Sequence, residues 1–274
     1  MYMNNPNEIF GFPIDNKSKG ALNSKKTYYC KFINAKCDKQ SRIIKYPMGV
    51  CSVNHSNSKP IICPNRFLEE NIVFKNISKS AFGTLDNILL FSEVKLNSVG
   101  TFDFVLVKHK PISNKVDDFC VVEFQSDSTT GTGKLVDALK DFMNNKNINN
   151  QSYAFGMNTY NTIKLSYIQM LIKGQVMESW NKNIFWVLQK FVFDNMVNRF
   201  NLEQMMYNKK HKTQYHIYDL EKNGNLYNLN LVEKKSTTVA NLITAFTHQP
   251  TPDIDSFVEK LEEKIKLKVG LLVE

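Results

Sequence analysis

Two short stretches decide the fold: TFDFVLV (Thr101–Val107) and CVVEFQ (Cys120–Gln125). Both are rich in aromatic and β-branched residues, which read as strands. Between them lies KHKPISNKVDDF, whose Pro111, Asn114, Asp117 and Asp118 are turn formers. An antiparallel hairpin turning around Ser113 keeps the sum of paired residue numbers constant. Asp103 then falls opposite Glu123, and Val107 opposite Phe119. Opposed residues share a face of the sheet. Gln125 lies two residues beyond Glu123 and joins that face by period-2 alternation. Phe102, Phe104, Val122 and Phe124 are expected to point the other way.

Two carboxylates this close repel each other unless a cation lies between them. Mg²⁺ suits the position, because it takes one or two carboxylates and leaves its other sites to water and phosphate. Such a site activates water for displacement at phosphorus. An exposed sheet face with two solvated acids is the plain alternative. It is weakened because the strands are otherwise almost wholly apolar, which implies that both faces are covered. Buried charge requires a partner.

Outward from the hairpin, Leu135, Ala138, Leu139 and Phe142 mark a helix over 134–142, and 162–176 is a second helical stretch. IFWVLQKFVF (Ile184–Phe193) reads as a buried strand running into a helix, continued by Met196, Val197 and Phe200. The segments 214–220 and 226–232 flank Asn223-Gly224, a strong hairpin signal. Val239, Leu242, Ile243 and Phe246 mark another helix, with Ser236 and Thr237 as expected caps. Asp253 opens a last amphipathic helix through Phe257, Leu261 and Ile265. The expected class is α/β (α+β), a mixed sheet flanked by helices.

The first ~25 residues are polar and read as an arm with little structure of its own. Residues 1–80 are taken as this arm plus a cysteine segment, and 81–274 as the main domain. Cys30, Cys37, Cys51 and Cys63 lie within one loop-rich stretch, separated by six, thirteen and eleven residues. No C-x₂-C pair is present. Four thiolates suit tetrahedral Zn²⁺ or Fe, whereas four small buried hydrophobes is the structural alternative. Cys120, beside Val121 and Val122, reads as a core residue.

The chain has 274 residues and a net charge of +9, which favours a polyanionic partner. No stretch approaches the ~18 apolar residues of a membrane span, and the N-terminus lacks a secretory pattern. No membrane association and a cytoplasmic location are therefore expected, with cysteines reduced.

Asp103 on one strand and Glu123-Phe124-Gln125 on the next resemble the PD-(D/E)xK nuclease signature, with Gln in place of the usual Lys. Together with Ile9-Phe10-Gly11, Gly49-Val50-Cys51 and Cys63-Pro64-Asn65-Arg66, the chain resembles the NotI family of restriction endonucleases. The stretch around Tyr167, Gln169 and Met170 and the hairpin ending near Val232 keep the family's order. The resemblance spans about residues 8 to 250.

It implies a restriction-endonuclease-like fold and a homodimeric type II enzyme cutting a palindromic site in double-stranded DNA. It implies Mg²⁺ on Asp103 and Glu123, with Gln125 as the non-Lys active-site residue; the Phe124 carbonyl is expected to complete the metal site and Gln125 to position the attacking water. It also implies one structural iron per chain on Cys30, Cys37, Cys51 and Cys63, where the chemistry of four thiolates alone would allow zinc. Ser126, Asp127, Ser128, Thr129 and Thr130 are candidate contacts to DNA, as are Lys108, His109 and Lys110 in the hairpin turn. Glu93 is a candidate accessory acid or a surface residue. Gln125 leaves two other readings open: a DNA-binding protein with an inactive nuclease fold, and a nuclease acting in repair.

Overall fold

The computed structural model describes residues 3–267 and Gly270. Strand β1 (Asn5–Ile9) pairs antiparallel with Phe12–Pro13 on one side and with β2 (Val50–Asn54) on the other. The expectation of a loose N-terminal arm is therefore corrected: every residue of β1 is buried. Its polar side chains find partners inside the protein rather than in water. The Asn5 side chain donates to the Ile148 carbonyl at 2.9 Å. The Asn7 side chain donates to Ser52 Oγ at 3.0 Å, and Ser52 Oγ donates to Glu8 at 2.7 Å. Glu8 also meets the fully buried Arg66 at 3.1 Å. Polar composition signals disorder only when such partners are lacking.

Helix α1 (Lys19–Thr27) starts at Ser18, whose hydroxyl accepts from the Ala21 amide. Helix α2 (Ile72–Phe82) follows a 3₁₀ segment over Pro64–Asn71. The main sheet then begins with β3 (Ile88–Leu96), β4 (Gly100–His109) and β5 (Val116–Gln125). Strand β3 is an exposed edge that apolar alternation does not single out. Helices α3 (Thr132–Met143) and α4 (Thr159–Ser179) lead to β6 (Ile184–Gln189). Helix α5 (Lys190–Phe200) leads to the hairpin β7 (Thr213–Asn223) and β8 (Leu226–Thr237), turning at Asn223-Gly224 as expected. Helices α6 (Val239–Thr247) and α7 (Ile254–Lys266) complete the chain.

The sheet order is β8-β7-β6-β5-β4-β3. Strand β6 is parallel to both neighbours, and the outer pairs are antiparallel. The sheet is mixed, as anticipated. Parallel strands need cover on both faces, and all six residues of β6 are buried. One face packs on α4, α5 and α6 through Ile163, Tyr167, Met170, Trp186, Val192 and Leu242. The other packs on α2 through Phe74, Ile77, Val122, Phe185 and Val187. A third cluster joins all four N-terminal cysteines to Leu135, Val136 and Leu139 of α3, so the cysteine segment rests on the main domain.

Helix α6 is capped by Thr238, whose hydroxyl accepts from the Asn241 amide, and not by Ser236 or Thr237. Those two residues extend β8, where they pair with Gln214 and Thr213. Gly174 lets α4 lie close to the sheet. A Cβ there would come within 2.8 Å of Val239 and 3.2 Å of Thr213. Among the described residues, no helix is long and apolar enough to cross a membrane.

Candidate active site

The hairpin register is the one deduced from the turn. Phe104 pairs with Val122 and Val107 with Phe119, which brings Asp103 and Glu123 side by side. The backbone ladder stops at Phe104–Val122. Past it, the Asp103 carboxylate accepts the Phe124 amide at 2.8 Å, taking the role of a strand carbonyl. This ending also displaces Phe102. Alternation places it on the far face with Phe104, Val122 and Phe124, but it packs in the α4-side core. Strict alternation fails where a side chain replaces the ladder bond.

Glu123 is 4% exposed and faces α4. One carboxylate oxygen accepts from Lys173 at 2.7 Å, and the other, Oε1, is buried with no partner among the described residues. Burial raises the pKa of Glu123 to about 7, with the adjacent Asp103 adding to the rise and Lys173 opposing it. Burial raises that of Asp103 as well, and the Phe124 amide opposes it. An orphaned carboxylate oxygen beside a second carboxylate is a site short of positive charge.

Lys173 is missed by the sequence reading because it lies fifty residues from Glu123. A signal is present: it follows Met170 by three residues, on the buried stripe of α4 that continues to Met177. A lysine on such a stripe is almost never buried without a partner. Glu93 is placed by the β3–β4 register next to Asp103, between the pairs Ser92–Phe104 and Val94–Phe102. Its φ of 53° is unusual for a side chain of this kind, and its charge acts on Asp103.

Gln125 is half-buried, and its amide donates to the Ser126 carbonyl at 2.9 Å. It lines a cleft of about 880 Å³ whose walls include Lys39, Ser41, Arg42, Ser128 and Asn161. Ser126, Ser128 and Thr129 lie in this wall. Asp127 is buried and satisfied. It accepts from Thr159 Oγ1 at 2.6 Å and from the Ser128 amide at 2.7 Å, tying the end of β5 to the start of α4. Thr130 pairs with Gly156. Lys108 and His109 end β4 and Lys110 follows it, at the turn end of the hairpin, about 20 Å along the strand from Asp103.

The four cysteines share one cluster without forming the expected metal site. All are buried in one cluster. Burial raises the pKa of each. The Cys51 thiol donates to the Gly49 carbonyl. Among the described residues, no group of three or more His, Cys, Asp or Glu side chains is arranged to hold a metal. The expected prearranged four-sulfur ligand set is therefore not found among the described residues. Cys120 is a core residue on the α2 side of the sheet, as anticipated.

A mixed sheet flanked by helices carries Asp103 and Glu123 side by side on one hairpin, with Gln125 at the end of the same strand as Glu123. The family model of restriction endonuclease NotI matches residues 21–229, and the chain belongs to that family. None of the curated proteins compared matches the chain at a significant level.

Proposed function

We propose that this chain hydrolyses phosphodiester bonds in both strands of a palindromic DNA site, with Mg²⁺ held by Asp103 and Glu123. The observation that carries the reading is the pair itself: adjacent carboxylates on a family-matched hairpin, one oxygen of which is buried and unpartnered. Magnesium needs only one or two protein carboxylates, so two acids and the Phe124 carbonyl are a sufficient set. When bound there, the cation neutralises the scissile phosphate and acidifies a water. Asp103 is held by the Phe124 amide, and Glu123 by Lys173, so both carboxylates are pre-aimed. Gln125 fixes its amide on Ser126, which leaves its carbonyl oxygen to orient the attacking water. It is not basic enough to take the proton, which passes to solvent or to phosphate.

The cleft beside Gln125 is the DNA site in this reading, with exposed Arg42 facing the duplex. The enzyme acts as a homodimer, because twofold symmetry presents one site to each strand of a palindrome. Leu165, Ile168 and Ile172 form an exposed apolar stripe on α4 that begins at the cleft, and this is the surface a second copy would cover.

Cys30, Cys37, Cys51 and Cys63 hold one iron or zinc in the functional protein. What supports this reading is local: backbone amides of Phe32 and Ile33 favour the thiolate of Cys30, those of Lys39 and Gly49 that of Cys37, and that of Asn65 that of Cys63. Amide hydrogen bonds of this kind orient thiolate ligands. The deciding experiment is incubation with plasmid and phage DNA in Mg²⁺. Discrete fragments support the reading, a smear points to a nonspecific nuclease, and intact DNA to a binding protein.

A further inference from the structure

The strand that carries Glu123 lacks the basic residue of its signature, since position 125 is Gln. The structure supplies a basic group from elsewhere. Lys173 on α4 is 5% exposed. Its ammonium donates to Glu123 at 2.7 Å and to the Thr101 carbonyl at 2.8 Å, and it lies 5.4 Å from the centre of the Phe102 ring. Thr101 and Phe102 immediately precede Asp103. One lysine thus binds both strands of the carboxylate hairpin.

A packing role does not account for this residue. Its neighbours on the buried stripe are Met170 and Met177, which seat α4 on the sheet without charge. A buried ion pair is costly to desolvate and often adds nothing to stability over apolar side chains of the same volume. The lysine also takes only one of the two Glu123 oxygens. The other remains buried and unpartnered beside Asp103. The arrangement holds the Glu123 side chain in one orientation and reserves one oxygen for another ligand.

We propose that Lys173 is the positioning cation of this active site, delivered from α4 in place of the strand lysine that Gln125 replaces. It anchors Glu123 through one oxygen, so that the other is presented to the divalent cation. The proposal rests on the metal-dependent nuclease reading above.

The test is relocation of the charge. Lys173→Gln keeps an amide donor on a side chain one atom shorter and removes the charge, and the double variant Lys173→Gln/Gln125→Lys returns a lysine on the strand. Three quantities are measured: Ca²⁺ binding by calorimetry without DNA, the rate of plasmid cleavage at saturating Mg²⁺, and the melting temperature. Lys173→Gln is expected to fold and stay folded at the assay temperature, with a lowered melting temperature because Glu123 loses its buried partner. It should bind Ca²⁺ at least fivefold more weakly and lower kcat at least a hundredfold, with KM for DNA nearly unchanged. The double variant should recover at least tenfold of the lost rate and most of the Ca²⁺ affinity. A structural lysine would not be replaced from a different element, so absence of any recovery overturns the proposal. So does near wild-type cleavage by Lys173→Gln. If Lys173→Gln does not fold, Lys173→Met, which packs as Met170 does, takes its place in the same comparison. Wild-type protein that neither binds Ca²⁺ nor cuts DNA would instead remove the nuclease reading, and this proposal with it.

Discussion

Asp103 holds the amide of Phe124 at 2.8 Å, at the point where the backbone ladder between their strands ends. The carboxylate therefore has two duties that different substitutions separate. Asp103→Asn keeps an oxygen that accepts the Phe124 amide but loses the charge. It should fold normally and lose cleavage by at least a hundredfold. Asp103→Ala should lose cleavage equally and also about 1 kcal/mol of stability, the usual worth of such a hydrogen bond. Glu123→Gln should behave like Asp103→Asn and retain DNA binding. Denaturant melts and plasmid cleavage read both effects. Near wild-type cutting by either isostere would remove the metal-site assignment.

The register of this hairpin was legible because its evidence is local: a turn near Ser113 and period-2 alternation fix Asp103 beside Glu123. Residues held by distant partners were not. Lys173 reaches Glu123 only after α4 folds back across the sheet, and Phe102 changes face because of a ladder ending that no periodicity encodes. Asn5, Asn7 and Glu8 resemble a solvated arm until Ile148, Ser52 and Arg66 are in place. The cysteines could be grouped from their spacing, but their burial against Leu135 and Leu139 is a tertiary fact.

Arg66 gives that N-terminal network a measurable role. It is fully buried. It meets Glu8 at 3.1 Å and Glu69 at 3.1 Å, and donates to the Tyr227 carbonyl at 2.8 Å. It thereby pins β1 and the cysteine segment to β8. Arg66→Met strands the Glu8 charge inside the protein and should cost roughly 3–5 kcal/mol. Adding Glu8→Gln should return part of that loss, since the two sites are directly coupled. Chemical denaturation of the single and double variants measures the coupling, and strict additivity would contradict it.

The cysteine cluster predicts metal content. Purified protein should carry about one tightly bound transition metal per chain. Cys63→Ala should lose it together with thermal stability, because metal binding and folding are linked in such sites. Cys120→Ser, on the α2 side of the sheet, should retain it. Elemental analysis of the three proteins checks this, and metal-free wild type that is folded and active excludes the assignment.

Acid stability is expected to depend on His216. It is fully buried on β7, against Phe185 at 5.1 Å, and neither ring nitrogen has a partner among the described residues. Burial, reinforced by Lys234, depresses its pKa to about 3. Unfolded, the ring takes a proton near pH 6.5. The unfolded state thus binds more protons between these values, and stability from this residue is lost as pH falls from ~6.5 towards 3. The loss should reach a few kcal/mol at the acid end, because each tenfold difference in proton affinity between the two states is worth about 1.4 kcal/mol. His216→Phe should flatten the stability profile below pH 6. A parallel acid profile in wild type and variant would show that other groups control it.

DNA affinity should fall steeply with salt and depend on the cleft rather than on the hairpin turn. The chain carries a net charge of +9 with no basic tail, so its phosphate contacts are spread over a surface. Each phosphate neutralised contributes a slope of about −0.9 in log affinity against log salt. A homodimer making on the order of ten contacts should lose about three to five decades between ~50 and ~200 mM salt. Arg42 is exposed in the cleft beside Gln125, whereas Lys108 lies at the turn end of β4 and Lys110 just beyond it. In a Glu123→Gln background, expected to bind without cutting, Arg42→Ala should weaken binding about tenfold or reduce the slope by about one. Lys108→Ala and Lys110→Ala should change neither. Binding titrations across a salt series, with sedimentation of the free protein, make the comparison. A monomer with a slope near zero would defeat the dimeric DNA reading, and a larger effect at Lys108 than at Arg42 would put the DNA on the wrong end of the hairpin.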